Sequence, residues 1–172
     1  MAEDFKNPIV IIDTSMGTIT AELWSDKAPK TVENMLAYIG DKFYDGLVFH
    51  RVISGFMIQG GGMDANMKQK STRDSVINEA TAELRNDRGT LAMARTSDVN
   101  SATAQFFVNL ADNGFLNHQN ETAPGFGYCA FGSVTDGMDV VDQIAAVATG
   151  RTGFHDDVPT EPVTINSIRL AE

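Results

Sequence analysis

Residues 49–61 read Phe-His-Arg-Val-Ile-Ser-Gly-Phe-Met-Ile-Gln-Gly-Gly, placing one cation, Arg51, among Phe49, Phe56 and Met57, with Gln59 close behind. A guanidinium stays protonated in a protein, so Arg51 cannot be a general base, and no Ser, Cys or Asp nucleophile stands beside it. It can donate hydrogen bonds. A fixed donor beside an apolar, aromatic-rimmed patch suits a substrate with a ring to bury and an amide to polarise, and proline in a peptide has both. Rotation about a prolyl amide is slow because resonance gives the C–N bond partial double-bond character, with a barrier of about 18–20 kcal/mol. A guanidinium aimed at the prolyl nitrogen as it pyramidalises, or at a nearby carbonyl oxygen, stabilises the twisted amide over either planar form, which is the differential binding catalysis requires. Arg51 is therefore the candidate catalytic residue, with Gln59 to hold its guanidinium and Gln105 to bond the substrate backbone. One charge-assisted hydrogen bond, about 1.5–3 kcal/mol net, supplies one or two decades of rate; exclusion of water and fixed orientation must supply the rest. No cofactor is needed.

Taken singly, an Arg in an aromatic stretch more often pairs with a carboxylate or snorkels, and Phe56, Met57 or Phe107 more often belongs to a core. Gly60-Gly61-Gly62 lacks the Lys-Ser or Lys-Thr of a Walker loop, so it reads as a tight bend and nucleotide binding is rejected. His50, His118 and His155 show no paired-ligand spacing, and His155-Asp156-Asp157 reads as a solvated turn, so no metal site is expected. His50 adjoins Arg51 and in an extended strand would face the opposite way.

These residues must be held by a scaffold, and 172 residues suffice for one core. A single domain over 1–172 is expected. The 42% hydrophobic and 21% charged composition is globular, and a formal charge of -10 repels phosphate backbones and anionic lipid, which argues against nucleic-acid and membrane partners. Cys129 is the single cysteine, so no internal disulfide can form. Glu3 and Asp4 stand where a secretory signal would be basic, and no apolar run approaches a membrane span, so a cytoplasmic protein is expected.

Ile9–Asp13 and Thr18–Leu23 flank the turn Ser15-Met16-Gly17 as a hairpin, with Ile19, Ala21 and Leu23 facing inward. Pro29 in a first turn, Val32, Met35, Leu36 and Ile39 at helical spacing, and Gly40 as a left-handed stop predict a helix. Further strands are expected in 48–53, 56–60, 91–94, 106–110, 128–134 and 163–170, the last breaking phase near Asn166-Ser167, and a second helix over Met138–Ala145. Many short strands without regular βαβ alternation predict an antiparallel barrel or sandwich. Residues 60–88 and 111–127 are long polar segments, a length that favours loops with a binding role.

The signature around Arg51 resembles that of the cyclophilins, the cyclosporin-binding peptidyl-prolyl isomerases. Gly89-Thr90-Leu91-Ala92-Met93-Ala94-Arg95, Ser101-Ala102-Thr103-Ala104-Gln105-Phe106-Phe107, Phe115-Leu116 and Phe131-Gly132 follow in the family's order and near its spacing. Asn78-Glu79-Ala80, Gly127-Tyr128-Cys129 and Val147-Ala148-Thr149-Gly150-Arg151 resemble the bacterial cytoplasmic branch. The resemblance implies a closed antiparallel β-barrel of about eight strands capped by two α-helices, mainly β. It implies Xaa-Pro isomerisation that assists folding, with Arg51 and Gln59 catalytic. It further implies a substrate groove made by Phe56, Met57, Ala94, Arg95, Thr96, Gln105, Phe107, Phe115, Leu116 and Tyr128. Partners would be proline-containing peptides and unfolded or flexible segments, and a monomer is expected. The alternatives are a proline-segment binding module or holding chaperone with incidental isomerisation, and, further off, a barrel carrying a small ligand.

This chain departs from the familiar eukaryotic pattern. Phe115 stands where many such members carry Trp, Arg95 where they carry Asn, Thr96 where they carry Ala, and Tyr128 where they carry His. Position 95 is implied to serve substrate through its main chain, while the added cation bears on sequence preference. Loss of the indole N–H implies weak cyclosporin binding.

Overall fold

A computed structural model describes residues 7–171; the pair Glu3–Asp4 read above lies outside them. Alternation of apolar and polar side chains over 9–23 produces the hairpin β1 (Ile9–Thr14) and β2 (Gly17–Leu23), whose inward residues Val10, Ile12, Ile19, Ala21 and Leu23 are wholly buried. The helix α1 (Pro29–Gly40) follows, burying Val32, Met35 and Ile39. No residue of its own caps its first turn. Instead Glu79 Oε1 accepts from Thr31 N at 2.6 Å and Thr31 Oγ1 at 2.7 Å, and Oε2 accepts from Lys30 N at 3.2 Å. A carboxylate from a distant loop thus satisfies orphan donors at the positive end of the helix dipole. The left-handed residue lies later than the sequence suggests: Gly40 is still helical, Asp41 stays right-handed, and Lys42 takes φ 56°.

The chain continues through β3 (Arg51–Ile53), β4 (Met57–Gly60), β5 (Thr90–Met93), β6 (Phe106–Asn109), β7 (Ala130–Asp136), α2 (Met138–Ala145), β8 (Thr149–Thr152), β9 (His155–Pro159) and β10 (Ile165–Leu170). Eight strands form one antiparallel sheet in the order β10-β1-β2-β7-β5-β6-β4-β3, and β8–β9 form a separate hairpin. That hairpin replaces the solvated turn expected at His155–Asp157. The phase break in β10 is a bulge: pairing passes from Asp13↔Ser167 to Thr14↔Ile165, which leaves Asn166 over.

The closed barrel expected from the resemblance is corrected to an open, half-barrel sheet. β3 is only three residues long and pairs on one side, with β4. Between the sheet's two edges the segment before β3 makes separate bonds instead of a ladder: Gly46 N to Ile165 O at 2.8 Å, Ile165 N to Leu47 O at 2.7 Å, and Phe49 N to Val163 O at 3.0 Å. The concave face still holds a full core, with Ile58, Leu91, Phe106, Val108 and Phe131 at zero exposure. Each such side chain contributes about 1.5–3 kcal/mol.

Candidate active site

Register places the chemistry. Arg51 on β3 pairs with Gln59 on β4, Gln59 with Phe107 on β6, and Phe107 with Ala92 on β5. One step along, Met57 pairs with Asn109. Because side chains alternate, Arg51, Gln59, Met57, Phe107 and Asn109 share the convex face, while Val52, Ile58, Val108 and Leu91 point into the core.

On that convex face lies a cavity of about 130 Å³ lined by Arg51, Phe56, Met57, Gln59 and Phe107 together with Ala94, Arg95, Leu116 and Tyr128. Met57 and Phe107 are buried beneath it. Thr96 and Gln105 lie beside it, in a second depression shared with Gln59, Ala94 and Arg95. Phe115 lines neither; it is 68% exposed and stacks on Phe56 with ring centroids 5.6 Å apart.

Arg51 Nη1 donates to Gln59 Oε1 at 3.4 Å, and Gln59 Nε2 donates to Gln105 Oε1 at 3.0 Å. Among the described residues no carboxylate is within ion-pair distance of Arg51, so its charge is not neutralised by a side chain. The Gly60–Gly62 bend gives Gln105 its room, for a Cβ on Gly62 would overlap the Gln105 side chain.

His50 faces away from the cavity, buried, with Nδ1 unpartnered. Burial, then the nearby His155 and Arg51, push its pKa down to about 4. Cys129 is pushed up to about 11, chiefly by burial. Neither group gains or loses a proton near neutral pH.

Arg95 is not a free cation at the groove. Its guanidinium donates to Gly127 O at 3.0 Å, Thr96 O at 2.8 Å and Ala123 O at 3.3 Å, and lies 4.8 Å from the centroid of the Tyr128 ring. It fastens the loop between Leu116 and Tyr128 to the chain leaving β5. The two ends of that loop meet where Tyr128 N donates to Leu116 O at 2.9 Å. Gly127 permits the approach: its φ is +82°, and a Cβ there would lie 2.6 Å from Leu116 O.

Sequence reading missed Asn86, Asn109 and Asn113, all buried beside this cavity. The available signal was Asn109 itself, a polar residue closing the apolar run Phe106-Phe107-Val108 on a buried strand.

A family model for cyclophilin type peptidyl-prolyl cis-trans isomerase/CLD matches residues 9–170. Peptidyl-prolyl cis-trans isomerase B of Escherichia coli (strain K12) is 55% identical over 164 residues, covering 95% of this chain and 100% of that protein. Peptidyl-prolyl cis-trans isomerase cyp18 of Streptomyces antibioticus is 56% identical over 161 residues, covering 94% of this chain and 97% of that one. Among solved structures, a Cryptosporidium parvum cyclophilin type isomerase crystallised in the presence of the dipeptide Ala-Pro superposes with a TM-score of 0.80 at 27% identity, over 95% of this chain and 99% of the other. With an intact sheet, and relatives of this identity matched along nearly their whole length, the chain belongs to the cyclophilin-type peptidyl-prolyl cis-trans isomerase family.

Proposed function

We propose that this isomerase turns Xaa-Pro bonds at the cavity beside Arg51, with the guanidinium bonding the prolyl amide as it twists, and that it thereby assists the folding of other chains. The observation that carries this reading is the cross-strand row of Arg51, Gln59 and Phe107, which sets a donor beside an apolar floor. A planar amide cannot accept strongly at nitrogen; the twisted one can, so the donor favours the transition state. Phe107, Met57 and Leu116 take the proline ring, Phe56 and Tyr128 wall it, and Phe115 extends the rim. Ala94, Arg95, Thr96 and Gln105 meet the chain that precedes the proline through main-chain and amide groups. The Ala-Pro dipeptide present with the Cryptosporidium relative supports a proline-containing ligand of this kind. No proton transfer or cofactor enters the step, and the protein acts as a cytoplasmic monomer that binds cyclosporin weakly.

The test is NMR exchange on short Xaa-Pro peptides without a coupled protease. Arg51→Ala and Arg51→Lys are each expected to lose about ten- to a hundredfold in kcat/KM while remaining folded, because a lysine point charge does not reproduce the guanidinium fork. Activity equal to wild type in both variants removes Arg51 from the mechanism. Peptide binding that persists without catalysis in the wild type would instead make the protein a holding module.

A further inference from the structure

Three walls of the cavity are joined underneath by a chain of buried amides. Asn113 Nδ2 donates to Phe56 O at 2.9 Å and to Asn109 Oδ1 at 2.8 Å. Asn109 Nδ2 donates to Asn86 Oδ1 at 3.1 Å and to Thr90 Oγ1 at 2.9 Å. Asn86 Nδ2 then donates to Tyr128 O at 3.1 Å and Leu116 O at 3.2 Å. Asn86 and Asn109 have zero exposure and Asn113 has 6%. Asn109 and Asn86 each donate through both hydrogens of the amide nitrogen and also accept through Oδ1, so neither amide can flip without breaking bonds, while Asn113 donates twice.

We propose that Asn86, Asn109 and Asn113 are positioning residues for isomerisation: a hydrogen-bonded relay that sets the distance of Phe56 from Leu116 and Tyr128, and so the width of the proline pocket. The three lining residues that the relay reaches, Phe56, Leu116 and Tyr128, come from separate stretches of chain, and none of them lies in a strand with a ladder to hold it. Asn109 is suited to the centre because β6 pairs it with Met57, directly beneath the cavity. A hydrophobic residue there would pack but would leave the buried Asn86 Oδ1 without its donor and take one bond each from Thr90 and Asn113. The relay touches no reacting atom. It acts through the walls, and therefore on substrate binding more than on the twisted amide.

The inference rests on the proposed pocket, so the experiment carries two readouts. The variants are Asn113→Ala, which releases Phe56, and Asn86→Ala, which releases Tyr128 and Leu116, together with the double variant and Asn113→Ser. In folded protein, KM for an Xaa-Pro peptide is expected to rise about three- to tenfold in each single variant with kcat nearly unchanged, the size of one lost hydrogen bond. The double variant should rise less than the product of the singles, and Asn113→Ser should recover part of the loss. Independently of catalysis, Asn113→Ala should shift the amide resonances of Leu116 and Tyr128, and Asn86→Ala that of Phe56. Unchanged KM with unchanged remote resonances overturns the relay, as does a KM effect that tracks only the lowered melting temperature. If the resonances shift as expected while KM does not move, the relay exists but the proline pocket lies elsewhere, and the role in isomerisation is refuted.

Discussion

Gln59 stands directly across the β3–β4 ladder from Arg51 and turns its two ends to different partners, accepting from the guanidinium through Oε1 and donating to Gln105 through Nε2. Neither bond is short, and the Arg51 side chain is exposed, so the tether orients the cation without using up its donors. Gln59→Ala is expected to lower kcat/KM by about three- to tenfold, less than loss of Arg51, since one neutral hydrogen bond disappears and the charge remains. Steady-state NMR exchange on the two variants checks the ordering. A Gln59→Ala loss as deep as that of Arg51→Ala would make Gln59 itself a substrate contact.

Activity should be indifferent to pH around neutrality. His50 sits at about 4 and Cys129 at about 11, so kcat/KM on a peptide without titrating groups is expected to be flat from about pH 6 to 8.5. A tenfold limb with a midpoint near about 6.5, abolished by His50→Gln in folded protein, would restore acid–base chemistry to the mechanism.

Stability should not share that indifference. The folded pKa of His50 lies below its ordinary value of 6.5. Between the two, the unfolded chain takes up a proton that the native protein refuses, so stability is present above about pH 6.5 and falls as pH drops toward 4. The full shift corresponds to roughly 3 kcal/mol. Urea unfolding at pH 7 and pH 5 should show part of this loss, about 2 kcal/mol, in wild type and a smaller one in His50→Gln. Equal losses in both proteins would assign the slope to carboxylates.

Arg95 lines the cavity and holds the loop that ends at Tyr128, and Arg95→Ala is expected to raise KM about three- to tenfold with little change in kcat. Arg95→Lys should recover only part, because one ammonium cannot reach Gly127 O, Thr96 O and Ala123 O while covering the Tyr128 ring. Full recovery by lysine would mean that charge alone matters there.

Phe115 is exposed and stacked on Phe56, a position from which an indole N–H would face solvent or ligand. Phe115→Trp is expected to strengthen inhibition by cyclosporin while leaving catalysis nearly unchanged. Superimposable inhibition curves for the two proteins would refute it.

Where the sequence is legible, periodicity is the reason. Ile9–Leu23 alternates because one face is core, and Val32, Met35 and Ile39 recur because one stripe of α1 is buried. The β8–β9 hairpin escaped because Thr149–Thr152 is exposed throughout and has no buried face to imprint a pattern. Sheet closure also could not be read, since whether Gly46–Phe49 meets β10 by a ladder or by separate bonds depends on backbone geometry that no side-chain type reports. The site divides along the same line. Family motifs marked the side chains at the cavity surface, whereas the asparagines beneath it bond one another and backbone carbonyls, with partners up to 57 positions away in the chain. Glu79 was legible as part of a motif, but its work at Lys30 and Thr31 was not.

The register of β1 against β10 pairs Val10 with Leu170 and Ile12 with Ile168. The first strand of the sheet in chain order must therefore wait for the last before both its edges are covered. Until then Val10 and Ile12 belong to a two-stranded ribbon with an open margin, the arrangement that invites pairing with foreign chains. A contact between strands so far apart in sequence also delays the final closure, because the loop entropy is spent before the pairing rewards it. The sheet of this isomerase is therefore complete only once β10 has been made.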